Sequence, residues 1–545
     1  MRYSAGLKEF KKFKGFKGFI VIVLLLGICF RLVGLDSKAY WHDEVYTTLR
    51  AVGYTRAEFD QEVFQNQVLT VPDLQKYQQL KPGSSVVDTI DSLALEDPQH
   101  PPLYFILARF WLEAFGNSVL ASRVLPALLS LLSLPLIYLL AMELFAAPGV
   151  ALLATALLAF SPLDILFAQI ARQYGLLAAV GMGSSWLLLR SLRQPGRLNW
   201  GLYALSVAAG FYTHVLFAIN LFAHAAYVLI LEQFEPVEPP VDKPAGPLSE
   251  RTVAPPRSRR FRLLAQFAIA VAAALILYGP WLAVLLGNYQ RAFAATSWTS
   301  ANVPLPFMLK QWMLHFTAPF VDLHFGFDNA WTFILRVSFV LLIGLGLYWV
   351  YRSTPPWTWL FVFSSIGLPF LALALPDLIL GGMRSAIARY LIPCYAGVQL
   401  AVAYFLAISL THRRAIGQWI LAFVFTSSII SISASATSNT WWHLETSYTN
   451  PAVLEVLNAR PSPLVVSDRG EGDTNPGDLL ALSYGLKDSV RLFGVGEPAD
   501  LEALESESDL YVFRPSAPLR AALEEQGWQL QEVVWFGTLW QASRA

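Results

Sequence analysis

Eleven apolar runs, each near the roughly 20 residues a helix needs to cross a bilayer, constrain this chain more than any other feature. They lie near 19–35, 122–143, 149–167, 174–191, 200–215, 216–233, 263–286, 331–351, 357–375, 390–410 and 415–435. Lipid offers backbone N–H and C=O groups no partners, so such runs fold as helices rather than as open strands. Composition agrees: 55% of the 545 residues are hydrophobic and 14% charged, with a mean hydropathy of +0.47. So few charges cannot cover the surface of a soluble fold of this size. The expectation is an all-α polytopic membrane protein. Lys plus Arg and Asp plus Glu balance at 39 each, without the basic excess of a nucleic-acid binder. Cys29 and Cys394 both sit inside apolar runs, which argues against a disulfide framework and a cysteine zinc site.

Basic residues in the short loops set the expected sidedness. A cytoplasmic tail over 1–18, carrying Lys8, Lys11, Lys12, Lys14 and Lys17, places Arg190, Arg193, Arg257, Arg259, Arg352, Arg413 and Arg414 on the same side. The apolar run after this tail has no small-residue cleavage site, so it reads as a retained first span. A membrane domain then covers 19–435. Within it, 36–121 is a long extracytoplasmic loop with amphipathic stretches near 45–80 and 102–115. The Pro- and charge-rich segment 234–261 reads as a cytoplasmic linker. The tail 443–545 alternates strand-like runs (463–467, 510–513) with helix-like ones (477–484, 517–526), which predicts a small α/β domain. Its 16 acidic and 7 basic residues suit an extracytoplasmic position.

Candidate chemistry gathers at the predicted outer boundary. Trp41-His42-Asp43-Glu44 follows the first span; either carboxylate suits a general base, a divalent-cation ligand, or an acid facing water within an aromatic belt. Asp97-Pro98-Gln99-His100-Pro101-Pro102-Leu103-Tyr104 gives His100 a rigid setting for a metal, phosphate or sugar contact, or for capping a turn. Asp164 and Arg172, in Ser161–Tyr174, share one face if their helix is continuous. His214 stands at the turn between spans five and six. Arg389-Tyr390 opens span ten, where a guanidinium suits a lipid-linked phosphate or an ordinary headgroup. A transporter would place its polar site near the bilayer midplane, whereas these groups lie at the boundary.

In Trp41-His42-Asp43-Glu44, His100-Pro101-Pro102-Leu103-Tyr104, Ser161-Pro162 with Ala168–Tyr174, and Arg389-Tyr390-Leu391-Ile392-Pro393, the chain resembles the polytopic GT-C glycosyltransferases of the family 39-like group. Protein O-mannosyltransferases and the aminoarabinose transferases acting on lipid A belong to this group. The resemblance implies an inverting transfer from a polyprenyl-phosphate sugar, in a bacterial inner membrane, to an acceptor that is protein, lipid or polysaccharide. Carried over by position, Asp43 is the base and Glu44 supports it or binds the acceptor. Arg172 and Arg389 meet the donor phosphate. Asp164 is a second acid and His100 shapes the site; Tyr104, Tyr174 and Tyr390, with His214 from its place at the outer turn, complete the expected substrate-binding residues. Many bacterial relatives have an acid where this chain has Ile170. Metal use varies across the group, leaving a divalent cation (Mg, Mn or Zn) open as a cofactor. The competing class is a transporter or flippase of lipid-linked saccharides.

Overall fold

The computed structural model describes residues 16–231, 257–323, 325–496 and 499–544. The basic tail before Phe16 and the linker between Leu231 and Arg257 lie outside the described residues.

Among the described residues, each expected run is mainly helical. Seven helices are long and apolar enough to cross a membrane, and an eighth joins them if the bent pair Pro148–Ala159 and Pro162–Ala168, which meet at 56°, is one span. Gly18–Leu32 and Phe217–Leu231 are shorter apolar helices, and Arg197–Thr213 adds seventeen residues between neighbouring spans. The protein is a multi-pass membrane protein. The first span packs hard on the bent pair: a Cβ at Gly27 would stand 2.5 Å from the carbonyl oxygen of Ala159. One turn on, buried Arg31 donates to the carbonyls of Leu158 and Ala159 at 2.9 and 2.8 Å. Those carbonyls end Pro148–Ala159, where Pro162 interrupts the ladder, so the arginine supplies donors that lipid cannot.

The extramembrane head is built from two distant pieces of chain. Strands β1 (Gln67–Thr70), β2 (Leu464–Ser467), β3 (Arg491–Gly494), β4 (Leu510–Phe513), β5 (Trp528–Val534) and β6 (Leu539–Arg544) form one sheet, ordered β1-β3-β2-β4-β6-β5. β2 runs parallel to β3 and β4; β1, β5 and β6 pair antiparallel at the two ends. β2 and β4 are buried throughout and read as continuous apolar runs, as strands covered on both faces must. Alternation sends Val465, Tyr511 and Phe513 into a core with Val453, Leu480 and the loop residues Val45, Leu49 and Phe59. Leu464, Val466, Leu510 and Val512 face a second core under the Ala517–Glu525 helix. The expected tail domain therefore closes only with β1, donated by the 36–121 loop.

Candidate active site

The His42–Ala51 helix begins where the Glu44 carboxylate accepts the backbone N–H of Trp41 at 2.9 Å, closing the first turn from within. The same carboxylate accepts Arg123 Nε at 2.8 Å and Nη2 at 2.6 Å, and the backbone N–H of Ala171 at 2.6 Å. The Glu44 side chain has no exposure, whereas that of Asp43 is a quarter exposed. Adjacent helix positions point about 100° apart, so when one acid turns into the core the other turns outward. Of the pair, Asp43 is the one a substrate can reach.

Glu44's grip on Ala171 also brings the Gln169–Gln173 break to the site. Gln169 there caps the first span, donating to the carbonyls of Phe30 and Val33 at 2.8 and 2.9 Å. Arg172 next to it donates to the Asp43 carbonyl at 3.3 Å and to Thr47 Oγ1 at 3.0 Å, and its Nη2 lies 3.8 Å from Asp43 Oδ2. The same Nη2 meets His100 Nε2 at 3.1 Å. A guanidinium can only donate, so that imidazole nitrogen accepts and its proton sits on Nδ1, 2.9 Å from Asp97 Oδ2. Asp97 in turn takes Arg50 Nε at 3.1 Å. His214 stacks edge-on against His100 with ring centroids 5.7 Å apart.

From the membrane side, the guanidinium of Arg389 lies 5.5 Å from the ring centroid of Trp41, 5.4 Å from Trp298 and 5.7 Å from Tyr390. Its carboxylate partner is Glu445, at 2.5 Å. Burial alone would raise the Asp43 pKa, but the guanidiniums of Arg172 and Arg389 outweigh it and hold the carboxyl below the usual carboxylate range. The fourth wall comes from the C-terminal domain. Buried Asp478 lies 3.7 Å from His42 Nδ1 and accepts Ser447 Oγ at 2.6 Å, while Ser447 accepts the His42 N–H at 3.0 Å. Gly477 permits this approach, since a Cβ there would come within 2.5 Å of the His42 ring.

Beneath the site, Arg172 sits 5.7 Å from the ring centroid of Tyr174. Tyr174 also lines a small pocket with Arg31, Asp164 and Tyr395. A second small pocket, reaching His224, shares the lining residues Ala178, Met182, Ile392 and Ala396 with the first.

The structure thus gathers Asp43, His100, Arg172, Tyr174, His214, Arg389 and Tyr390 and sets three expected residues apart. Glu44 is locked behind Asp43 by Arg123. Tyr104 is buried in a core with Ala51, Val52 and Leu112. Asp164 does not share a helix face with Arg172, because the helix ends at Ala168 and resumes at Tyr174; its Oδ2 accepts Gln399 Nε2 at 2.7 Å inside the membrane domain. Sequence reasoning left out Arg50, Asp97, Arg123, Trp298, Glu445 and Asp478, of which only Asp97 stands inside a motif singled out above. For a divalent cation the fit is poor. Among the described residues no three His, Cys, Asp or Glu side chains converge as a cage would require, and Asp43 is ringed by cationic groups, which suits an anion.

The family model for dolichyl-phosphate-mannose-protein mannosyltransferase matches residues 99–237. In three dimensions the chain is similar to ArnT from Cupriavidus metallidurans bound to undecaprenyl phosphate, at 13% identity and a TM-score of 0.54, over 97% of this chain and 98% of that one. It also aligns with the Archaeoglobus fulgidus oligosaccharyltransferase AglB in complex with an inhibitory peptide and a dolichol-phosphate, at 13% identity and a TM-score of 0.46, over 87% of this chain and 64% of that one. No curated protein matches the sequence. The resemblance read from the motifs therefore holds as a shared GT-C fold over nearly the whole chain, and as a family match over its second to sixth apolar runs.

Proposed function

We propose that the protein is a membrane glycosyltransferase that moves a sugar from a polyprenyl-phosphate donor to an acceptor hydroxyl or amine, with Asp43 as general base. The observation that carries this reading is the quarter-exposed carboxylate of Asp43, set under the charges of Arg172 and Arg389. The polyprenyl chain stays in the membrane and the donor phosphate rests on Arg172 and Arg389. The acceptor approaches from the aqueous side. Its O–H or N–H proton passes to Asp43 as its lone pair forms a bond to the anomeric carbon. The bond from that carbon to the phosphate oxygen breaks, its electron pair stays on the lipid phosphate, and the anomeric configuration inverts. The two guanidiniums stabilise the charge that grows on the leaving phosphate. The Asp97–His100 pair, with His214 stacked on the imidazole, holds Arg172 in place. Glu44 acts through position alone.

The fold of the undecaprenyl-phosphate-bound relative supports the donor class. The positive-inside pattern of the loops supports an extracytoplasmic site in a bacterial inner membrane, with the N-terminus cytoplasmic and the C-terminal domain outside. The test incubates purified protein with radiolabelled polyprenyl-phosphate hexoses and pentoses and a membrane extract. Label leaving the lipid for a protein, lipid or polysaccharide supports transfer and identifies the acceptor. Label that stays on the lipid while the lipid changes leaflet in vesicles overturns transfer in favour of a flippase.

A further inference from the structure

The C-terminal domain enters the site through a strap, Trp442–Thr449, that follows the last span. Both flanks of the strap are pinned. The Trp441 and Trp442 indoles donate to buried Asp322 at 2.8 and 3.0 Å. Beyond them, Arg514 holds the Thr446 carbonyl, Ser447 bridges His42 and Asp478, and Thr449 meets Thr538 at 3.2 Å. Between these anchors the backbone of Glu445 stands at φ 45°, ψ −110°. A residue with a Cβ avoids that region, and such outliers persist where their surroundings over-determine them. The side chain set in this costly position is 44% exposed and pairs with Arg389, which is itself 11% exposed inside its aromatic slot.

We infer that Glu445 is a positioning residue of the donor subsite: a counter-ion, supplied by the C-terminal domain, that the lipid phosphate displaces from Arg389. The inference rests on the reading of Arg389 as a phosphate contact. A carboxylate and a phosphate oxygen pair compete for the same guanidinium fork. Trp41, Trp298 and Tyr390 hold that guanidinium in place whichever anion occupies it. Glu445 leaves into water, where its charge is solvated, and the strap relaxes. Removing its charge therefore removes a competitor without unseating Arg389.

The test titrates polyprenyl phosphate without a sugar into the purified full-length protein. Glu445→Gln binds it about three- to tenfold more tightly than the wild type, the range expected for losing a partly exposed ion pair with strain behind it. Glu445→Gly, which suits the positive φ, gives the same gain. Arg389→Ala binds at least about tenfold more weakly. In the double variant E445Q/R389A the gain disappears. A merely structural Glu445 would give a loss, so unchanged or weaker binding by both Glu445 variants, with Arg389→Ala still impaired, overturns the inference and leaves the donor reading standing. Wild-type binding by Arg389→Ala would overturn the donor reading and this inference together.

Discussion

Replacing Arg123 by methionine removes the partner on which the placement of Asp43 depends. The Arg123 side chain is 3% exposed and that of Glu44 not at all; two charge-assisted bonds join them, at 2.6 and 2.8 Å. Arg123 also donates to the carbonyls of Leu35, Lys38 and Ala39 at 2.8, 3.0 and 2.8 Å, tying the exit of the first span to the His42–Ala51 helix. Methionine matches the stem of the side chain and leaves a buried carboxylate with only its backbone donors. Breaking one side of such a pair costs about 3–5 kcal/mol, because the remaining charge has no water to return to. Glu44→Gln costs nearly as much by stranding the guanidinium. The double variant costs less than the sum by about 1–3 kcal/mol, since neither charge is then orphaned. Native-state proteolysis of the 36–121 loop, compared with urea unfolding of the head, reads this local opening directly. Arg123→Met with wild-type protease resistance and an unchanged urea midpoint would refute the view that Glu44 is a structural anchor.

Other consequences follow from the same contacts. Asp43 must be ionised to accept a proton, and its lowered pKa keeps it so down to acidic pH; activity falls only as pH drops through that value. Arg172→Gln raises the Asp43 pKa and moves the acid limb of kcat upward by about 1–2 pH units, and a limb that stays put contradicts the assignment. The Asp478 pKa is held at about 2, against an ordinary 3.8; burial raises it, and the nearby His42 and Arg514 with the bond from Ser447 more than offset that. A folded-state pKa below the unfolded one gives stability present above about pH 4 and lost as pH falls toward 2, worth about 2 kcal/mol. Asp478→Asn abolishes that part of the acid dependence of head unfolding, measured by urea midpoints at pH 3 and pH 7. Gly27→Val drives a side chain into the Ala159 carbonyl and lowers the thermal midpoint of the membrane domain, with Gly18→Val, which meets no neighbour, as the neutral control.

The membrane architecture was legible because lipid demands length and apolarity, and both are visible in a linear string. Strands 464–467 and 510–513 were legible for a similar reason, since burial on both faces leaves uninterrupted apolar runs. β1 was not: it has four residues, largely exposed, and its partner β3 lies over 400 residues away, so no local pattern marks it. The site divides along the same line. Motifs carrying Asp43, His100, Arg172, His214 and Arg389 were visible as polar groups at membrane boundaries. The difference between Asp43 and Glu44 was not, because it depends on Arg123, which sits in an apolar span with nothing nearby to explain it. Asp164 and Arg172 look like a helical pair because no Gly or Pro marks the break at Gln169–Gln173. That break is imposed by tertiary partners, Gln169 on the first span and Ala171 on Glu44. Glu445 and Asp478 belong to a domain whose docking no local pattern announces.

The central claim is that Asp43 takes the acceptor proton while the surrounding cations hold the donor. The most direct measurement compares wild type with Asp43→Asn in release of sugar from radiolabelled polyprenyl phosphate, alongside binding of unlabelled polyprenyl phosphate to both. Asparagine keeps the size and loses the base, so the account predicts turnover lower by at least about a hundredfold with lipid binding retained or strengthened. Turnover by Asp43→Asn at the wild-type rate would contradict it.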